Sequence, residues 1–156
     1  MPKALKEGDA APAIHVEDDR GQPFDLAKLK GKQVVLYFYP RADTPGCTTE
    51  AQGFRDNAKK FSDAGAVILG VSPDKPAALA KFKEKYKLPF TLLSDVDHKV
   101  AECYGTWVEK SMYGRTYMGV ERSTFLIGND GKIRNIFRKV KPATHPQEVC
   151  QALKSA

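Results

Sequence analysis

Val34-Val35-Leu36-Tyr37-Phe38-Tyr39 is the longest unbroken apolar run in the chain. Apolar throughout and rich in β-branched and aromatic types, it predicts a buried strand rather than one that alternates between core and solvent. It is far shorter than the roughly 20 apolar residues a membrane-crossing helix needs. A second apolar strand is predicted at 66–71 and a short third at 91–93. Helical patterns separate them. Ala51, Phe54, Ala58 and Phe61 make one stripe of a helix over 47–62, and Ala78, Leu79, Phe82 and Tyr86 one face of a helix over 75–86. Asp74 before Lys75-Pro76 predicts an N-cap with an early-turn proline, and Asp95 and Asp97 cap a short helix through about Tyr104. A strand at 123–127, a Gly128-Asn129-Asp130-Gly131 turn and a partner at 132–137 predict a hairpin. Thr144-His145-Pro146 opens a terminal helix reaching about Leu153. The aromatic-rich stretch from Trp107 to Met118 lacks periodicity and reads as a packed loop, either the wall of a pocket or a satellite core cluster.

Strand, helix, strand implies parallel pairing with a right-handed crossover. The closing hairpin adds antiparallel strands. The arrangement fits an α/β sandwich of the thioredoxin type, with a central mixed sheet flanked by helices. At 156 residues the chain is expected to form one domain over 1–156. Its 42% hydrophobic and 28% charged residues exclude a disordered or collagen-like chain. A net charge of +6 raises the question of nucleic acid. However, Lys75, Lys81, Lys83, Lys85 and Lys87 read as the solvated outer face of a helix. Arg134, Arg138, Lys139 and Lys141 are interleaved with core residues, and no nucleic-acid motif accompanies them. Cys47, Cys103 and Cys150 form no disulfide framework, and no basic-then-apolar leader opens the chain, so a reducing cytoplasm is expected. His15, His98 and His145 stand far apart, and no Cys-x-x-Cys, His-x-x-x-His or Gly-rich phosphate loop occurs, so neither a metal nor an organic cofactor is expected.

The chemistry concentrates between the first strand and the first helix, in Pro40-Arg41-Ala42-Asp43-Thr44-Pro45-Gly46-Cys47-Thr48-Thr49-Glu50. Thr44 has the chemistry of an N-cap and Pro45 suits the first helical position, which puts Cys47 in the first turn. Free N–H groups and the positive helix end then face its sulfur. A free thiol with a pKa of about 8.5 is only about 3% ionised at pH 7, and reaching about 90% takes about 3.4 kcal/mol of differential stabilisation. A helix terminus supplies about 0.3–1 kcal/mol, rising to about 2 when partly buried. A cation is therefore expected beside the sulfur. Fast chemistry also needs donors aimed at the transition state. Most unpaired cysteines are small buried hydrophobes. The Pro, Gly, Thr and Asp cluster around Cys47, with the apolar stripe starting only at Ala51, favours a reactive thiol.

Pro40-xxx-Thr44-xx-Cys47 matches the active-site motif of peroxiredoxins. Tyr37-Phe38-Tyr39-Pro40 with Asp43 through Ala51, Gly53-Phe54-Arg55-Asp56, Gly70-Val71-Ser72, Tyr117 through Ile127 and the opening Gly8-Asp9-Ala10-Ala11-Pro12 resemble the bacterioferritin comigratory protein (peroxiredoxin Q) subfamily along nearly the whole chain. The resemblance implies a thiol peroxidase acting on hydrogen peroxide and organic hydroperoxides, in antioxidant defence and redox homeostasis. Cys47 is then the peroxidatic cysteine, which becomes a sulfenic acid. Thr44 supplies the hydroxyl that holds the peroxide in line, and Pro40 shields the thiolate from water. Arg122 is the cation, its fixed fork of donors suited to two oxygens at once. Glu50, in the first turn, reads as a residue favoured by the helix dipole, with at most a supporting role. The resemblance also implies a monomer.

Gln52 stands where many subfamily members carry a resolving cysteine, and residues 75–86 contain none either. Cys103 and Cys150 look like helix core positions. A one-cysteine mechanism is therefore expected, with the sulfenate reduced by thioredoxin, glutaredoxin or a small thiol. The competing readings are a redox sensor, or a thioredoxin-fold binding or chaperone-like protein without turnover.

Overall fold

The computed structural model describes residues 5–154. The run at 34–39 becomes β3 (Gln33–Phe38), an interior strand of a mixed seven-stranded sheet, with Tyr39 just beyond its end. The other strands are β1 (His15–Asp18), β2 (Pro23–Asp25), β4 (Ala66–Ser72), β5 (Thr91–Ser94), β8 (Ser123–Ile127) and β9 (Ile133–Phe137), in the order β2-β1-β5-β4-β3-β8-β9. β3 pairs in parallel with β4, and β4 with β5, as the strand–helix–strand pattern requires. β8 closes antiparallel on the other side of β3, with Tyr37 opposite Thr124 and Phe38 opposite Ser123.

The unbroken apolar run is explained by period two. Val35, Tyr37 and Tyr39 enter one core layer while Val34, Leu36 and Phe38 enter the other. The first layer receives α1 (Pro45–Asp56) through Cys47, Ala51 and Phe54, and α2 (Ala58–Asp63) through Phe61. α3 (Pro76–Tyr86) adds Leu79 and Phe82, and α5 (His145–Lys154) adds Val149, Cys150 and Leu153. The second layer is covered by α4 (Lys99–Cys103) through Val100 and Ala101, with Tyr104 and Val120 beside them. Tyr37 stacks on Phe54 at 4.6 Å between ring centroids. Its phenol has room because Gly70 carries no Cβ, which would sit 3.0 Å from the hydroxyl.

Several local expectations need correction. The helix over 47–62 is two helices. Asn57 turns its side-chain amide back to donate to the Gly53 carbonyl at 2.7 Å, and α2 starts beyond it. Asp74 does not cap α3, whose N-cap is Lys75. The Asp74 carboxylate instead accepts from the Ala42 N–H at 2.7 Å and from the Ser72 hydroxyl at 2.8 Å, which ties down the loop after β3. Asp95 does cap α4, accepting from the Val100 and Ala101 N–H groups at 3.0 and 2.9 Å. Trp107 to Met118 is not a loop. It is β6 (Trp107–Met112) and most of β7 (Arg115–Val120), a separate two-stranded sheet turning on Tyr113 and Gly114, both at positive φ. Lys83 and Lys85 are not merely solvated, since they pair with Asp19 at 3.2 Å and Asp43 at 2.9 Å. Cys103 is exposed rather than packed, whereas Cys150 is buried.

His145 opens α5 as expected, and it is fully buried. Its Nε2 lies 2.6 Å from Thr124 Oγ1, and its ring packs edge-on against Phe54 and Phe137. Burial, aided by the nearby Arg122 charge, pushes the imidazole down from 6.5 to about 4. Between those values the unfolded chain binds a proton that the folded chain refuses, so stability falls as pH drops from about 6.5 to about 4. The loss from this residue is on the order of 3 kcal/mol. Urea denaturation from pH 7 to pH 4 is expected to show a shallower decline for His145→Gln than for the wild type; parallel declines would contradict this.

Candidate active site

Thr44 is the N-cap of α1 by its extended backbone, and Pro45 holds the first helical position, as expected. The Thr44 hydroxyl makes no cap bond. It donates instead to the Arg41 carbonyl at 2.9 Å, so the backbone alone starts the helix. The Thr48 N–H takes the Thr44 carbonyl at 2.8 Å. Gly46 and Cys47 have no carbonyl within the helix to receive their N–H groups. Pro40 lies two residues past the end of β3, half-buried. Between it and the helix, Asp43 adopts a left-handed φ of 59° and accepts from Tyr86 Oη and Lys85 Nζ at the far end of α3. The loop that presents Cys47 is thereby fastened at both ends of α3, by Asp74 before it and by Tyr86 and Lys85 at its close.

Cys47 lies in the first turn of α1 and is 1% exposed. The expected cation is present. Arg122 reaches in from the residue preceding β8, and its Nη2 donates to Cys47 Sγ at 3.5 Å. Its Nη1 donates to Glu50 Oε1 at 2.9 Å. The guanidinium therefore bridges a sulfur and a carboxylate on the same turn of helix. Gly46 makes the approach possible, because a Cβ there would lie 3.0 Å from Nη2. The Arg122 backbone is also held, with its carbonyl accepting from the Val140 N–H at 3.1 Å.

Glu50 is the residue the sequence reading undervalued. It is fully buried, and burial raises its carboxyl to about 7 against the opposing pull of Arg122. Its Oε2 has no hydrogen-bond partner among the described residues. A buried carboxylate with one satisfied oxygen is costly, so Glu50 is there for Arg122 rather than for the helix dipole. Its spacing of three from Cys47, one helical turn, was the available signal. Tyr37, beneath the cluster, has its phenol pushed well up by burial and by its Tyr39, Glu50 and Cys47 neighbours. Cys47 and Arg122 meet at this end of the sheet, while Pro40 and Thr44 belong to the loop and helix start that carry Cys47. Cys103 does not, for it belongs to α4 on the opposite face. Cys150 sits in the same core layer as Cys47, on α5. No group of three or more His, Cys, Asp or Glu side chains suited to a metal occurs among the described residues.

Comparison with known proteins gives the family. Residues 7–136 match the model of the AhpC/TSA family. Peroxiredoxin Bcp of Bacillus subtilis is 50% identical over 96% of both chains, and that of Escherichia coli K12 is 48% identical over the same share. Among solved structures, the bacterioferritin comigratory protein of Xanthomonas campestris superposes with a TM-score of 0.87 at 39% identity, over 91% of this chain and 90% of its own. A cysteine-to-serine mutant of Xylella fastidiosa PrxQ superposes with a TM-score of 0.92 at 32% identity over 98% of both. The chain belongs to the AhpC/TSA family, and to its peroxiredoxin Q branch with a thioredoxin-like fold. It is a thiol-dependent peroxidase.

Gly46→Ala is expected to displace the guanidinium and slow peroxide consumption roughly tenfold or more, with the far-UV spectrum preserved. An unchanged single-turnover rate would show that the close approach of Arg122 is dispensable.

Proposed function

We propose that Cys47 is the peroxidatic residue and that the chain works by a one-cysteine cycle. The observation that carries this reading is the 3.5 Å contact from Arg122 Nη2 to a sulfur in the first turn of a helix. A guanidinium at that distance supplies a fixed positive charge and a hydrogen-bond donor to the reacting sulfur. The thiolate attacks the terminal oxygen of a hydroperoxide. An S–O bond forms, the O–O bond breaks, and the leaving oxygen takes a proton from solvent to depart as water or alcohol. Arg122 and the free N–H groups of the helix start stabilise charge as it moves across the two oxygens. Thr44 can turn its hydroxyl from the Arg41 carbonyl to the peroxide, and Pro40 limits water at the sulfur. Glu50 acts on Arg122, as a positioning residue.

The sulfenic acid then condenses with an external thiol, releasing water, and a second thiol regenerates Cys47. Gln52 supports this route. So does the sheet that lies between Cys47 and the exposed Cys103. The reductant is a thioredoxin, a glutaredoxin or a small thiol. Hydrogen peroxide and organic hydroperoxides are the substrates. We place the protein in the cytoplasm as a one-domain monomer. No described helix is long and apolar enough to cross a membrane, and none of the cysteines is in a disulfide.

Cys47→Ser is expected to abolish peroxide consumption while leaving the fold intact. In the wild type, peroxide treatment followed by peptide mass mapping is expected to find sulfenic or sulfinic acid at Cys47. An intrachain link from Cys47 to Cys103 or Cys150 would overturn the one-cysteine cycle, and turnover by Cys47→Ser would overturn the assignment. Arg122→Ala is expected to slow the reaction with hydrogen peroxide by about 100-fold, even at a pH where both thiols are ionised. Equal rates at that pH would remove Arg122 from the transition state.

A further inference from the structure

The chain leaving β9 passes back beside the site, and its cations have no use in the cycle above. The Val140 N–H donates to the Arg122 carbonyl at 3.1 Å. Two residues on, Pro142 Cγ lies 3.5 Å from where a Cβ on Gly46, the neighbour of Cys47, would be. This strap is therefore fastened to both halves of the site. Its backbone is also fixed from within. Lys139 takes a left-handed φ of 50°, a costly conformation for a residue with a long side chain. The Lys141 carbonyl accepts from the His145 N–H at 3.0 Å, which ties the strap to the start of α5.

Lys139 and Lys141 thus stand on either side of the residue that touches Arg122. Both are exposed, and among the described residues neither side chain makes a hydrogen bond or an ion pair. The acids of the site are engaged elsewhere. Glu50 holds Arg122, Asp43 accepts from Lys85 and Tyr86, and Glu121 faces Arg138 Nη1 at 4.0 Å. Two unneutralised cations on a fixed strap beside a reactive sulfur attract an anion. Hydrogen peroxide is neutral, so the anion belongs to the reactant that follows it, the reducing thiolate. Access sets its size. Cys47 is 1% exposed, and the loop that carries it is pinned at Ala42 by Asp74 and at Asp43 by Lys85 and Tyr86. A sulfur so enclosed is open to a small thiol and closed to a cysteine set in the surface of a folded protein.

We infer that the Cys47 sulfenic acid is reduced by a small thiol carrying carboxylates, which Lys139 and Lys141 hold at the opening of the site. The inference rests on the reading of Cys47 as the peroxidatic thiol, and it selects one reductant from the classes named for the cycle. The thiolate of the first molecule attacks Cys47 Sγ. An S–S bond forms, the S–O bond breaks, and hydroxide departs and takes a proton from solvent as water. The thiolate of a second molecule attacks the outer sulfur of this mixed disulfide, which frees the Cys47 thiolate and releases the oxidised small disulfide. The two small thiols are oxidised and the Cys47 sulfur is reduced by two electrons.

Glutathione and its diethyl ester are suitable probes, because they share one thiol and differ by two carboxylates. Protein oxidised with one equivalent of hydrogen peroxide is mixed with each, and the mixed disulfide at Cys47 is timed by rapid quench and intact mass, with rates compared per thiolate. The wild type is expected to react about tenfold faster with glutathione, the ratio that about 1.4 kcal/mol of ion pairing supports. Raising the salt concentration lowers that ratio towards one. Lys139→Gln combined with Lys141→Gln also brings it towards one, and Lys139→Arg combined with Lys141→Arg keeps it. A wild-type ratio near one, or a ratio that survives both the double glutamine variant and high salt, overturns the inference. So does a thioredoxin-type dithiol protein that, at equal thiol concentration, reduces the sulfenic acid faster than glutathione in the wild type and in the glutamine variant alike. In each of these cases, oxidation of Cys47 by hydrogen peroxide leaves the peroxidatic reading standing. A chain whose Cys47 resists hydrogen peroxide overturns both.

Discussion

One guanidinium shared between a buried carboxylate and a sulfur is the interaction on which the site depends. Arg122 has two tasks that compete for the same charge. Glu50 holds it at 2.9 Å and Cys47 receives it at 3.5 Å. The contacts are unequal, and that inequality has a use. The carboxylate fixes the fork in place, and the second nitrogen remains available to a reacting sulfur and its oxygens. A helix end is worth about 0.3–1 kcal/mol, rising to about 2 when partly buried, short of the about 3.4 kcal/mol that ionising about 90% of an ordinary thiol takes at pH 7. The fold therefore delivers a formal charge to the helix start, and spends a buried carboxylate to keep it oriented.

The rest of the architecture can be understood as the means of that delivery. β3 lies inside the sheet, between β4 and β8, and launches the loop that carries Cys47. β8 pairs beside it in register, so the residue before β8 emerges next to the residue after β3. The two halves of the site are thus neighbours in the sheet although 75 positions apart in the chain. The approach is close enough to exclude a Cβ at position 46. On the far side His145 joins Thr124 of β8 to α5, while Pro146 lies where a Cβ on Gly53 would be, 2.7 Å from its Cγ. Helix start and strand start meet at the guanidinium, and the terminal helix is tied to the same strand and helix through Thr124 and Gly53.

Much of this was legible in the sequence. The apolar run announced an interior strand, because its short length and its β-branched and aromatic residues favour a strand buried on both faces over a buried helix. Thr44-Pro45 marked the helix start, and the motif around Cys47 marked the chemistry. What escaped reading was set by distant partners. Glu50 looks like any first-turn acid until Arg122 is placed against it. Asp74 has the chemistry of a cap, but Ala42 and Ser72 compete for its carboxylate and win. The hairpin after residue 106 hides because only its base, Trp107 and Val120, packs on the second core layer, while most of its other residues are exposed, so no alternation between core and solvent marks its strands. Cys103 looks buried by its apolar neighbours, yet α4 is short and turns its last residue outward. Local pattern records local energetics; these four features depend on tertiary contacts that no window of sequence contains.

The central claim is that Glu50 and Arg122 act as a unit on Cys47. A double-mutant cycle on Glu50→Gln and Arg122→Lys, read as the single-turnover rate with hydrogen peroxide, tests it most directly. If the pair acts together, the double variant is much less impaired than the product of the two single effects, with a coupling of about 1 kcal/mol or more. Effects that multiply to within about 0.5 kcal/mol would mean that the two residues act independently, and the account of the site would fail.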